Sequence, residues 1–195
     1  MIKQAGIDFE SLKEEKYDSI MGQSTGAAVI FGATGGVMEA ALRTAYELVT
    51  GREVPFDGLN ITPVRGMEGV KEASVKIEGT LPEWKFLEGA ILNTAIAHGL
   101  VNAKKVMELV DSGKANYHFI EIMACPGGCL GGGGQPIPTN MEIRMKRNKA
   151  IYQEDAGMPI RKSHENPEVA LIYKEFLEKP LGHTSHKLLH TTYID

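Results

Sequence analysis

The sequence predicts an α/β fold, a partly parallel sheet flanked by helices, with a helical appendage at its C-terminal end. Three observations carry this expectation. Short apolar runs of strand length lie at residues 27–31, 73–77, 89–97 and 117–122. Segments with apolar residues at helical spacing stand between them, at 37–49 and 100–110. Glycine turns, Gly32-Ala33-Thr34-Gly35-Gly36 and His98-Gly99, mark the joins. Strand, turn, helix and strand in this rhythm is the pattern of crossover units, whose strands run parallel.

In chain order, residues 1–23 are polar and weakly periodic and read as a helix and loop. Ala27-Ala28-Val29-Ile30-Phe31 reads as a strand ending in the first glycine turn. Val37, Ala40, Ala41, Thr44 and Leu48 then fall on one helical face, with Gly51 as a stop. Residues 52–88 are rich in Gly, Pro, Thr and charge, apart from the alternating strand Ala73-Ser74-Val75-Lys76-Ile77. The apolar run Gly89 to Ala97 leads to a helix from Leu100 to Val110, with Asn102 as its expected cap and Ser112-Gly113 as its end. Tyr117 to Ile122 is a strand running directly into a cysteine segment, and a helix from about Asn140 to Gln153 follows. Beyond residue 156 the chain reads as a tail of two short helices. One is opened by Asn166-Pro167 and runs through about Glu178; the other spans His183 to His190.

Composition narrows the function classes. The formal net charge is −4 with both signs interspersed, and no Lys/Arg run suggests a nucleic-acid or membrane-surface face. No apolar stretch approaches the roughly 20 residues that a membrane-spanning helix needs. The N-terminus lacks the basic-then-apolar layout of a secretory signal, so a cytoplasmic location is expected.

The two cysteines, Cys125 and Cys129, are the chemical focus. A disulfide between residues four apart is awkward, because Cα atoms more than about 7 Å apart cannot be bridged. Two cysteines can also be inert core residues. Here they sit in Glu121-Ile122-Met123-Ala124-Cys125-Pro126-Gly127-Gly128-Cys129-Leu130-Gly131-Gly132-Gly133-Gly134-Gln135-Pro136. Thiolate is the soft donor that iron–sulfur clusters require. Gly127 and Gly128 let the backbone approach a bulky inorganic ligand and aim N–H groups at it. Met123 adds a soft, polarizable group two residues before the first cysteine. Spacing alone leaves three other readings open. The pair could bind zinc with tail histidines such as His164 or His186, or act as a redox thiol pair. Separately, Ile30-Phe31-Gly32-Ala33-Thr34-Gly35-Gly36 could be a dinucleotide-binding turn, although its glycines are not spaced as GxGxxG and no ribose-binding acid follows around Gly51 to Pro55.

The whole sixteen-residue string resembles the last of the three signature motifs of iron-only (di-iron) hydrogenases, with every fixed position filled. The stretch Gly26 to Arg43 is similar to the segment that precedes this motif in the family. The tail is similar to the family's small-subunit module through Arg161, Ser163-His164, Asn166-Pro167, Tyr173, Phe176-Leu177, Pro180, Leu188-Leu189-His190 and Tyr193. The resemblance implies residues 1–155 as the C-terminal half of the catalytic domain, and 156–195 as a fused small-subunit-like tail. It implies a 4Fe–4S cluster linked to a di-iron unit bearing CO, CN and a dithiolate, where protons and electrons combine to dihydrogen. Cys125 would be a cluster ligand and Cys129 the ligand bridging to the di-iron unit. Met123, Phe31 and Gly32 would line the di-iron pocket. Glu121 is expected to be a structural, hydrogen-bonded carboxylate. The first two signature motifs, which carry the other two cluster cysteines and a proton-donating cysteine, do not occur in these 195 residues. The expected partners are therefore the missing N-terminal half, an electron carrier (ferredoxin or NAD(P)H-linked subunits), and a second copy through exposed apolar surface. Relatives serving iron–sulfur assembly share the resemblance in part and form the alternative.

Overall fold

Strand β2 (Ile91–His98) alternates its side chains between two apolar clusters, and the rest of the fold is arranged around that alternation. Ile96 packs with Met38, Leu42 and Ala73 on one face of the sheet. Ala95 and Ala97 pack with Val106 on the other. The computed structural model describes residues 1–18, 21–53 and 68–192. Val54, Pro55 and Tyr193, which the sequence singled out, lie outside the described residues.

The sheet has the order β1-β2-β3, with β1 (Val70–Lys76) antiparallel and β3 (Phe119–Met123) parallel to β2. Helix α2 (Gly36–Thr50) supplies Met38 and Leu42 to one face, and α3 (Leu100–Asp111) supplies Val106 to the other. Each large aliphatic side chain buried here contributes roughly 1.5–3 kcal/mol. The parallel pair requires a crossover, and α3 provides it. The expected α/β architecture with a partly parallel sheet is what forms.

One element differs from expectation. Residues 27–31 form no strand; Gly26–Ile30 is a short helix, α1. Thr25 caps it, its Oγ1 accepting from the Ala28 N–H at 3.1 Å. Gly26, Ala27 and Ile30 are buried, one side of a single helical turn. A five-residue apolar run carries no period that separates a buried turn of helix from a buried strand, and here the cap and the packing of α1 against α4 (Met141–Gly157) decide. Without a preceding strand, the glycine turn is not the strand–turn–helix of a dinucleotide site.

Smaller corrections follow from capping. Gly99, not Asn102, is the N-cap of α3; Asn102 lies in the first turn and donates Nδ2 to the His98 carbonyl at 3.0 Å. Among its described residues, the N-terminal segment holds as its helical element a 3-10 turn, Phe9–Ser11, in place of the expected helix. The first tail helix is α5 (Pro167–Ile172), capped by Asn166 and continued by a π turn, Tyr173–Leu177. The second is α6 (His183–Leu189).

Candidate functional site

The site is built where the C-terminal ends of β2 and β3 meet the turn between α1 and α2. Parity along β3 places its groups. Glu121 pairs in register with Ile96, so it faces α2, as does Met123, paired with His98. The buried Glu121 carboxylate accepts the backbone N–H groups of Gly35 at 2.6 Å and Met38 at 2.7 Å. It therefore caps α2, where negative charge suits the exposed helical N–H groups, and it is the structural carboxylate expected from the sequence. From β1, on the other side of β2, Lys71, also buried, donates to the Thr34 carbonyl at 2.8 Å. Burial pushes its ammonium down to about 8, against opposing contributions from Glu121 and Glu68.

The cysteine segment leaves β3 in a tight turn. The Gly128 N–H donates to the Cys125 carbonyl at 3.0 Å, with Pro126 second and Gly127 third at φ +81°. Pro followed by a positive-φ glycine is the residue pattern of a type II turn. Three further bonds fasten this turn. Thr34 N–H donates to the Gly127 carbonyl at 3.2 Å, Cys129 N–H to the Gly32 carbonyl at 2.8 Å, and Gly127 N–H to His98 Nδ1 at 3.1 Å. A Cβ on Gly128 would meet the Gly32 carbonyl at 2.7 Å, the Met123 sulfur at 2.8 Å and the Thr34 nitrogen at 3.0 Å. From α4, Arg147 donates to the carbonyls of Leu130 at 2.7 Å and Pro136 at 2.8 Å.

The structure thus brings together Gly32, Met123, Cys125, Gly127, Gly128 and Cys129. Phe31 adjoins them as the C-cap of α1 and is 46% exposed, so it is no part of a core strand. With Val37, Ala41, Thr44 and Leu48 it lines an apolar pocket of about 410 Å³ along α2. Sequence reasoning missed His98, which it took only as the end of an apolar run, and also Lys71 and Arg147. His98 stands in register with Met123, a relation that no single stretch of sequence displays.

The residues present suit a thiolate-held cluster on two counts. Both thiols are free and exposed, while Gly127, Gly128 and Leu130 around them are buried, so the donors stand on a fixed backbone. Arg144 Nε, which lies against Gly131, and the hydroxyl of Thr34, whose backbone nitrogen lies against Gly128, are buried without a partner among the described residues, leaving two donors for an anionic group. The tail histidines are placed elsewhere. His164 bonds Thr44 at 3.1 Å and Glu47 at 2.9 Å, and the His186 and His190 rings pack on each other. Among the described residues no group of three or more His, Cys, Asp or Glu side chains is gathered for a metal, so the zinc reading has no assembled site.

Comparison with known proteins identifies the family. Residues 1–133 match the family model of the iron-only hydrogenase large subunit, C-terminal domain, and residues 141–195 match that of the iron hydrogenase small subunit. The NADP-reducing hydrogenase subunit HndD of Solidesulfovibrio fructosivorans is 49% identical over all of this chain and 31% of its own length. The periplasmic iron hydrogenase large subunit of Nitratidesulfovibrio vulgaris is 53% identical over 78% of this chain and 34% of its own. The more distant Protein NAR1 of Arabidopsis thaliana is 28% identical over 99% of this chain. A solved structure of the FeFe-hydrogenase HydA1 from Chlamydomonas reinhardtii superposes with a TM-score of 0.70 at 43% identity, covering 99% of this chain and 52% of that one. The chain spans about a third of the length of the curated relatives it matches, and about half of the solved chain. It belongs to the iron-only hydrogenase large-subunit family, as a C-terminal part of that subunit.

Proposed function

We propose that this chain is the portion of an iron-only hydrogenase that presents two of the thiolates holding its active-site cluster. The observation that carries the reading is the cysteine turn itself: two exposed thiols on a buried backbone fastened to α1, α2 and β2. Cys125 would hold a 4Fe–4S cluster, and Cys129 would hold it together with a di-iron unit carrying CO, CN and a dithiolate. When bound, that group supplies the centre at which protons and electrons are converted reversibly to dihydrogen. The role of this chain's residues is to hold it. Gly127 and Gly128 keep the backbone close and free of side chains, Met123 lies behind Gly128, and Gly32 borders the same space through its carbonyl, while Phe31 beside it lines the apolar pocket along α2.

Two thiolates do not complete a four-iron cluster, so the remaining ligands come from an N-terminal half of the catalytic domain. Electrons arrive from ferredoxin or from NAD(P)H-linked subunits, and the name of the NADP-reducing relative favours the latter class. Among the described residues no helix is long and apolar enough to cross a membrane. The alternative of an iron–sulfur assembly relative rests on the match to the cytosolic Fe-S cluster assembly factor narfl of Xenopus tropicalis, whose 26% identity is well below that of the hydrogenase subunits.

Anaerobic iron–sulfur reconstitution tests the reading. The expected result is no stable cluster on the chain alone, and a 4Fe–4S EPR signal with matching iron and sulfide when the N-terminal half is coexpressed, lost on Cys125→Ser. A cluster that forms on the coexpressed pair and survives loss of both cysteines would overturn it.

A further inference from the structure

The turn between the cysteines contains one buried backbone donor that its own hydrogen bonds do not use. In Cys125-Pro126-Gly127-Gly128 the closing bond uses the Gly128 N–H, and Gly127 contributes its carbonyl to Thr34. The Gly127 N–H belongs to the central peptide, and Gly127 is buried. A buried amide without an acceptor costs about 1–3 kcal/mol. The acceptor is His98 Nδ1, at 3.1 Å.

We propose that His98 is a positioning residue for the thiolate pair, its unprotonated Nδ1 fixing the hand of the turn from which Cys125 and Cys129 project. This inference rests on the cluster-ligand reading for its purpose, but not for its test. An N–H donates only to a bare ring nitrogen, so the ring carries its proton on Nε2. The central peptide of a β-turn flips by about 180° between types I and II, which reverses its N–H and carbonyl. An acceptor fixed on one side selects one of the two. His98 is fixed: its backbone N–H donates to the Gly69 carbonyl at 3.0 Å, its carbonyl accepts from Asn102, and it stands in register with Met123. The side chain is buried on the face toward α2, under the loop it holds. A flipped peptide would turn Gly127 away from its positive φ and point the Pro126 carbonyl at the bare ring nitrogen in place of the N–H, so the imidazole holds the turn on which both thiols stand.

The test uses the full 195-residue chain without any cluster. Amide hydrogen exchange of Gly127, and a through-bond nitrogen–nitrogen coupling between Gly127 N and His98 Nδ1, read the bond directly. Cadmium(II) titration, followed by thiolate absorption, reads the geometry of the pair. His98→Asn places an oxygen where Nδ1 stands; His98→Gln moves it one bond farther, and His98→Leu removes it. The expected result is a coupling in the wild type, with Gly127 exchange accelerated about 5- to 100-fold in the Leu variant, as a lost buried hydrogen bond of that strength implies. Cadmium affinity should fall by about the same factor in the Leu and Gln variants and stay within about threefold of wild type in the Asn variant. Should His98→Leu fail to fold, the Asn and Gln variants decide. No coupling in the wild type, or equal cadmium affinity in the Asn and Gln variants, would overturn the assignment. Failure of cluster reconstitution with the N-terminal half would instead strike the ligand reading and leave this bond untouched.

Discussion

Two regions of the molecule are held by opposite means. Around the cysteines the partners are mostly backbone groups: Gly32, Thr34, Gly127 and Cys129 exchange hydrogen bonds in a space that admits no extra carbon. At the junction of α2 with the end of α4, the partners are fully buried charges. Arg43 bonds Glu39 at 2.6 Å through Nη2 and Asp155 at 2.7 Å through each of its two terminal nitrogens, and the partly buried Arg161 adds a bond to Asp155 at 2.7 Å. Burial alone would push Asp155 up, but the two arginines hold its carboxyl below the usual aspartate range. The difference teaches that the site gains precision from close backbone contact, with its thiols left outward. The junction instead depends on every member of one network being present.

Breaking the junction should produce the largest effect. Arg43→Met removes the cation shared by Glu39 and Asp155 and should cost about 3–5 kcal/mol, measured by urea denaturation. The same network sets an acid limit. A carboxyl whose folded pKa is depressed contributes its full stability above the unfolded value and loses it as pH falls through the folded one. Stability should therefore decline from about pH 4 downward, and Asp155→Asn should flatten that decline.

Breaking the backbone fit should cost less. Gly128→Ala adds a carbon against the Gly32 carbonyl at a residue with φ +85°, and should destabilise by about 1–3 kcal/mol in the same assay. A loss equal to that of Arg43→Met would mean that the two regions are not distinguished in the way argued above.

The smallest effect sharpens the comparison at the opposite end of the pH scale. Lys71 is held near 8, below its unfolded value of about 10.4, so the unfolded chain binds more protons between those values. Stability attributable to Lys71 should rise from about pH 8 to 10, and Lys71→Met should lack that rise. The acid limit would then report the junction and the alkaline gain the site.

The sequence made the site more legible than its supports. The cysteine string, with Met123 and the glycine run, stands contiguous in the chain and could be read in one piece. Helix α2 was legible because its period is long and Gly51 ends it in the left-handed conformation. Helix α1 was not, because five apolar residues do not show a period, and what decides its state is a cap and a partner helix over a hundred residues away. The same distance hid Arg43 and Asp155, which look like ordinary surface charges until α2 and α4 meet. His98 was hidden by register, a property of two strands that neither one carries alone.

Helix α4 ties both regions. Arg147, near its start, grips the carbonyls of Leu130 and Pro136, and Asp155, near its end, sits in the charged junction. Side-chain contacts on both sides of residues 134–140 therefore bind the second family segment to the first without help from the peptide bonds between them. Cutting the chain there would leave the same contacts and change only their dependence on dilution, from none to that of two molecules finding each other. Such a joint can be encoded as one chain or as two, and the choice between them becomes a matter of concentration.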